Sequence, residues 1–290
     1  MNTSEIIQQY QSLLFSIAYQ MTGEVVASED IVQEVLTNLI IQQSESITYP
    51  KAYLAKAVTN RSLNYLVEAK RRRESYKGTW LPEPVIENAH RQVEAQLDLS
   101  YSFMLLLEKL TPTERAIFLL KESFEFDYQE IATALDINEA NARQLYHRAK
   151  EKIGQPKKRF VSSTQHQQAL LEAFTQASIS GDLDTFIQLL KEDIVIYSDG
   201  GGKVLAAINP LFGKLVAEKF YRGLANKNLL QLEVKPVMVN GSPALATYRR
   251  ADQQLDAITI IETENEGVAR LFIIRNPEKL AHLVDILYMK

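Results

Sequence analysis

The sequence predicts three folded modules, two all-helical and one of α+β type. Three observations predict this. Apolar residues recur at helical spacing through residues 1–73 and again through residues 99–154. After Asp193 the period changes to that of strands, with turn signals between the runs. Two polar linkers, residues 74–98 and 155–163, separate the modules. The first contains Trp80-Leu81-Pro82-Glu83-Pro84, whose prolines forbid a continuous helix.

In the first module, Ile6, Tyr10, Leu13, Leu14, Ile17 and Ala18 make one apolar stripe, and Ile31, Val32, Val35, Leu36 and Leu39 a second. Pro50 opens a third helix, with Tyr53, Leu54, Ala57, Val58, Leu63 and Leu66 on its core side. In the second module, Thr111-Pro112-Thr113-Glu114 is a helix start, combining a cap, a first-turn proline and a glutamate at the third position.

Asp127 to Ile153 reads as two short helices joined by a tight turn. Asp127 and Glu130 form a capping-box pattern, and Asn138 caps the next helix after the turn Asp136-Ile137-Asn138. Ile131, Ala132 and Leu135 face inward on the first helix, and Ala142, Leu145, Ala149 and Ile153 on the second. Asn141, Arg143, Gln144, His147, Arg148 and Lys150 are left outward or flanking. This is the layout of a DNA-recognition helix. Arg suits guanine, and Asn or Gln suits adenine, because each makes two bonds to one base edge. An ordinary helical hairpin with a solvated basic face has the same pattern.

The third module, residues 164–290, opens with helices over 166–177 and 182–190. Strands follow at 194–197, 232–239, 244–249, 255–261 and 269–274. Asn240-Gly241 is a hairpin signal, and Asn265-Glu266-Gly267 separates another pair, so the sheet is expected to be antiparallel.

The chain has 290 residues, 46% of them apolar, and a formal net charge of −4. That charge argues against a general nucleic-acid coat. No cysteine is present, which excludes disulfides and Cys-ligated zinc. The N-terminus lacks the regions of a signal peptide, and no stretch approaches the roughly 20 apolar residues of a membrane span. Glu24, Glu29, Asp30, Glu34 and Glu45 lie in a stretch without basic residues. Lys56, Arg61, Lys70, Arg71, Arg72, Arg73 and Lys77 follow, and a second basic run covers 141–159. Segregation of this kind suits one basic and one acidic partner.

The ordered blocks carry a family resemblance. SIAYQMTGEVVASEDIVQEVL and AYLAKAVTNRSLNYLVEAKRRR resemble the sigma-2 domain of bacterial RNA polymerase sigma factors of the extracytoplasmic-function type. LTPTERAIFLLKESFEFDYQEIATALDINEANARQLYHRAKEKI resembles their sigma-4 domain. YKGTWLPEP (76–84), DGGGK (199–203) and NPEKL (276–280) resemble signatures of the sigma-J-type group, whose members carry a C-terminal SnoaL-like conical α+β barrel. Glu278 stands where that last signature usually has Asp, and Asn64-Tyr65-Leu66-Val67 departs from a common spelling of the promoter-melting helix.

The resemblance implies a cytoplasmic sigma factor that directs core RNA polymerase to promoter DNA, without cofactor, metal or catalytic residue. It implies polymerase contact through Asp30, Gln33 and Glu34. It implies contact with the minus-ten element through Asn60, Arg61, Asn64, Arg71, Arg72 and Arg73, with the loop Gln42 to Tyr49 catching a flipped base. The minus-thirty-five element would be read by Asn141, Arg143, Gln144, His147 and Arg148. The C-terminal domain would be a built-in regulator in intramolecular contact with sigma-2 and the linker. Trp80 and Pro82 would be held by Asp199, Gly200, Gly201, Gly202, Asn276 and Pro277, with the Trp80 indole as the anchor. Residue by residue, the glycine run needs no more than a tight bend or close approach of another backbone. A one-component sensor with a small-molecule pocket in the C-terminal domain is the alternative. A dimeric helix-turn-helix repressor is a third reading.

Overall fold

The computed structural model describes residues 3–41, 49–86, 99–154, 165–225, 231–264 and 267–284. The chain forms two compact units. The first comprises Met1–Glu74 with Glu87–Lys158, the second Ser75–Ile86 with Arg159–Lys290. The two helical modules therefore fall in one unit, and the described part of the first linker belongs with the C-terminal module. The expected second linker, residues 155–163, lies outside the described residues, as do residues 42–48 of the expected base-catching loop.

Three helices open the first unit: α1 (Thr3–Thr22), α2 (Val25–Ile41) and α3 (Pro50–Glu74). Leu14, Ile17, Tyr19, Val25, Leu39, Leu54 and Val58 are fully or almost fully buried between them. All five residues of the expected α2 stripe are buried. On α3 the seam differs from the expectation. Leu54, Ala55, Val58, Thr59, Ser62, Leu66 and Ala69 are buried, whereas Tyr53 is 40% exposed. Small residues along that seam let the α3 backbone approach its neighbours closely, which leaves the wide Tyr53 ring at the edge.

Four helices follow: α4 (Tyr101–Leu107), α5 (Pro112–Glu122), α6 (Tyr128–Leu135) and α7 (Glu139–Ile153). Both capping boxes form, Thr111 with Glu114 and Asp127 with Glu130. The Asn138 side chain accepts from the Asn141 backbone N–H and opens α7. Between α6 and α7 Asp136 takes a left-handed conformation (φ 54°). The buried stripe of α7 is Ala142, Tyr146, Ala149 and Ile153. Tyr146 takes the place expected of Leu145, because its ring stacks on Phe118 and its hydroxyl donates to Glu122.

A buried charge network joins the two modules of this unit. The Arg115 guanidinium donates to Leu107 O (3.0 Å) and Met21 O (2.7 Å) and pairs with Glu108 (2.8 Å). Burial pulls its pKa down, and Glu108 counters that. Arg73 reaches Glu108 (2.8 Å), Glu24 (3.4 Å) and the Thr22 carbonyl.

The second unit contains α8 (Gln165–Ser180), α9 (Leu183–Gln188), β1 (Leu190–Asp199), β2 (Leu211–Phe212), α10 (Lys214–Ala225), β3 (Leu232–Val239), β4 (Ser242–Arg249), β5 (Leu255–Glu264), β6 (Gly267–Ile274) and α11 (Pro277–Leu280). The sheet order is β2-β1-β6-β5-β4-β3. It is open and mixed, not purely antiparallel as expected, because β6 lies parallel beside β1. A parallel neighbour needs a long crossover, and here β2, α10 and the β3–β6 meander supply it. Asn240 and Gly241, both with positive φ, make the two-residue hairpin between β3 and β4. Phe174, Phe186, Ile194, Ile196, Val268 and Leu271 are part of one apolar core beneath α8, α9 and α10.

Candidate nucleic-acid interface and linker clamp

In the second unit, the linker segment is held by one buried carboxylate. Asp199 ends β1 and is 1% exposed. Its Oδ1 accepts from the Tyr76 hydroxyl (2.5 Å) and the Gly201 N–H (3.0 Å). Its Oδ2 accepts from the Leu81 N–H (2.8 Å) and from Lys279 Nζ (2.7 Å). Charged hydrogen bonds in a dry site are the strong kind. Lys279, on α11, also donates to the Leu81 carbonyl, and its ammonium lies 4.9 Å from the Tyr76 ring centre and 4.2 Å from that of Trp80. Burial, then the bond to Asp199, pushes the Tyr76 phenol far above the usual tyrosine range, so it remains a donor.

Further along the segment, Val85 and Asn240 exchange two hydrogen bonds of 2.8 Å, and His282 Nε2 donates to the Pro84 carbonyl at 2.8 Å. Leu81, Pro82, Pro84, Val85 and Ile86 are buried. Trp80 is only half-buried, so it is not the deepest anchor as expected. It covers Lys279 instead.

The three glycines after Asp199 are required one by one. A Cβ on Gly200 would lie 2.4 Å from the Val204 carbonyl oxygen. Gly201 (φ 62°) faces the Asn276 side chain, and Gly202 (φ 69°) faces Lys77 of the linker. Asn276 caps α11 through the Glu278 N–H and donates to the Tyr76 hydroxyl at 3.0 Å, with Pro277 as the first residue of the helix. Asp199, Gly200, Gly201, Gly202 and Asn276 thus meet in one place, with Pro82 next in chain to the bonded Leu81 and Pro277 next to Asn276.

In the first unit, Asp30, Gln33 and Glu34 share the exposed face of α2, while Ile31 and Val35 are buried. Glu34 pairs with Arg61 of α3 at 2.7 Å. A cleft of about 240 Å³ lies between these helices, lined by Val35, Asn38, Tyr53, Ala57, Asn60, Arg61 and Asn64. Asn60 also donates to the Ala134 carbonyl (3.2 Å), and Lys56 to that of Thr133 (2.8 Å), so the polar side of α3 meets the last turn of α6. Arg71 and Arg72 are exposed. Arg73 departs from expectation, because its guanidinium is spent on the internal network with Glu108, Glu24 and Thr22. Arg72 stacks on Tyr65, whose phenol burial and then Glu24 push above the ordinary range.

On α7, Arg143, Gln144, His147 and Arg148 are exposed and Asn141 is half-buried. Among the described residues no cluster of His, Cys, Asp or Glu could hold a metal ion, and no helix is long and apolar enough to cross a membrane.

Sequence reasoning did not find Tyr76, Lys279, Asn240 or His282 as parts of the clamp, nor Arg115, Glu108 and Glu24 as parts of the network. Tyr76 and Lys279 sit inside the quoted YKGTWLPEP and NPEKL segments, which was their one signal. The others are single polar residues without a pattern.

An acid-faced three-helix module, a basic α3 and a capped helix-turn-helix on one chain define a promoter-recognition factor of the transcription machinery. Residues 6–72 match the family model for sigma-70 region 2, and residues 100–153 that for sigma-70, region 4. The chain is 32% identical to the ECF RNA polymerase sigma factor SigJ of Mycobacterium tuberculosis (strain ATCC 25618 / H37Rv), over 94% of this chain and 92% of the relative. It is 30% identical to the probable ECF RNA polymerase sigma factor SigI of the same strain, over 93% and 92%. A crystal structure of M. tuberculosis SigJ matches with a TM-score of 0.74 and 29% identity, covering 95% of this chain and 97% of that one. The chain belongs to the extracytoplasmic-function RNA polymerase sigma factors and is of the sigma-J type. It functions in transcription initiation.

Proposed function

We propose that this sigma factor is regulated from within: its C-terminal module grips the 75–86 linker and so limits how the two promoter-binding modules engage DNA. The observation that carries this reading is the Asp199 carboxylate, buried and bonded to Tyr76 and Leu81 of the linker. A buried carboxylate requires such partners, and the linker supplies two of them. The gripped and released linker are then two populations, and core polymerase draws on the released one.

The remaining roles follow from placement. Asp30, Gln33 and Glu34 offer an acidic, hydrogen-bonding face to a basic groove of core polymerase. Arg71 and Arg72 contact phosphates of the promoter. Asn60, Arg61 and Asn64 border a cleft sized for one unpaired base of the minus-ten element. Asn60 can reach DNA only after leaving Ala134. Arg73 is omitted from this set. Asn141, Arg143, Gln144, His147 and Arg148 face the minus-thirty-five element. The factor acts in the cytoplasm, carries out no bond chemistry itself, and lends the polymerase specificity. The sensor alternative is not favoured, since Phe174, Phe186 and Leu271 pack the space between helices and sheet.

The test is in-vitro transcription with core polymerase, comparing the intact chain with Lys279→Ala and Asp199→Asn. Both substitutions loosen the linker, and the reading expects several-fold more transcript at limiting factor. Transcript yield equal to that of the intact chain in both variants would refute it.

A further inference from the structure

Tyr128 is the first residue of α6, so it opens the helix-turn-helix, and it is half-buried. Its ring packs edge-on against Tyr146 of α7, with centroids 5.8 Å apart. The Arg143 guanidinium carbon lies 4.4 Å from the same ring centre. Arg143 is also ion-paired to Glu139, one turn earlier on α7. Arg143 remains exposed, with 55% of its side chain open to solvent. An exposed ion pair within one helix contributes little to stability. It does restrict where the side chain points. A free arginine samples many rotamers, and ordering it on binding reduces affinity. An aromatic face on one side and a carboxylate on the other remove most of that freedom beforehand.

The geometry points to Tyr128 as a positioning residue for promoter specificity: its ring holds the Arg143 guanidinium in the orientation that reads a guanine edge in the distal promoter element. This rests on the reading that Arg143 contacts a base. Guanine is the base implied, because the planar fork of arginine matches its O6 and N7. Tyr128 itself touches no base. Among the described residues its hydroxyl has no hydrogen-bond partner, so the ring makes the contacts. Lys121 Nζ also lies 5.0 Å from the same ring centre.

The experiment uses the full chain with core polymerase and a set of promoters in which each base pair of the distal element is varied in turn. The readout is the ratio of transcript between promoters for one protein preparation. That ratio is insensitive to loss of folded protein, which Tyr128→Ala can cause through Tyr146. Arg143→Ala is expected to abolish the preference for guanine at one position. Tyr128→Ala is expected to lower the preference at that same position by roughly threefold to tenfold, and to leave the proximal element unchanged. Tyr128→Phe is expected to behave as the intact chain. Tyr128→Ala added to Arg143→Ala is expected to change no ratio further. The proposal is overturned if Tyr128→Ala weakens all distal sequences alike, if Tyr128→Phe loses as much as Tyr128→Ala, or if the two alanine substitutions add. If Arg143→Ala leaves every ratio intact, the base-reading role of Arg143 falls first and takes the proposal with it.

Discussion

Two arginines two positions apart on α3 separate from each other once their partners are known. Arg71 is exposed, whereas Arg73 is 18% exposed at its side chain and reaches Glu108, Glu24 and Thr22. Arg71→Ala is expected to leave stability within about 0.5 kcal/mol and to lower the salt slope of promoter binding by about one. Arg73→Ala is expected to destabilise the first unit by roughly 1–3 kcal/mol, because the Thr22 carbonyl and Glu24 lose a donor and Glu108 keeps only Arg115. Urea unfolding and a salt titration of DNA binding by the holoenzyme decide both. A large loss of stability in Arg71→Ala, or none in Arg73→Ala, would contradict the placement. The clamp permits a similar prediction. Lys279→Met leaves the Asp199 charge buried without its cation, costing about 3–5 kcal/mol in the second unit. Adding Asp199→Asn removes that charge, so the double variant should be more stable than Lys279→Met alone. Thermal unfolding measures this, and a double variant weaker than the single one would count against the pair. Asp199 was legible through the resemblance of DGGGK to a family signature, whereas Lys279, though inside NPEKL, was not singled out, because a lone lysine reads as solvated until its partner is known.

At the level of elements, local rules were legible and long-range ones were not. Thr111, Asp127 and Asn138 cap α5, α6 and α7 as their spacing required, because a cap is decided within four residues. The Asn240-Gly241 hairpin is equally local. By contrast, β1 runs parallel to β6, a pairing across more than the whole meander, and no short pattern encodes it. Helix α10 went unread although Ala217, Phe220 and Tyr221 share its core face at spacings of three and four, because the exposed Leu215 and Val216 beside them blur that stripe. Tyr146 displaced Leu145 from the α7 seam because a tyrosine can bury its ring and still satisfy its hydroxyl at Glu122. The cap of α5 also carries a pH prediction. Burial works against the Glu114 carboxylate, but Lys152 and the Thr111 N–H and hydroxyl outweigh it and hold its pKa below the usual glutamate value. A group depressed in the folded state stabilises above its unfolded pKa and loses that contribution as pH falls through the folded one. Glu114→Gln should therefore cost about 1–2 kcal/mol at neutral pH, and the difference from the intact chain should shrink as the pH is lowered below the ordinary glutamate range. Denaturation curves across that range test the sign. A difference that grows toward acid would refute it.

For the whole molecule, the informative fact is where the linker belongs. Ser75–Ile86 folds with the C-terminal module, although its chain continues directly from α3. Leu81, Val85 and Ile86 are almost completely buried there. Removing the C-terminal module would expose these side chains to water, so truncation confounds release with aggregation. Point substitutions in the clamp avoid this. Trp80 is the chain's single tryptophan and lies against Lys279. Incorporation of 5-fluorotryptophan therefore places one fluorine reporter in the clamp, visible even in a complex with core polymerase. The account predicts one clamped fluorine resonance in the free factor, replaced by a solvent-exposed one when core polymerase and promoter are added. Lys279→Ala should show the exposed resonance before either is present. A transcribing complex of the intact chain whose Trp80 resonance is that of the free factor would contradict the central claim.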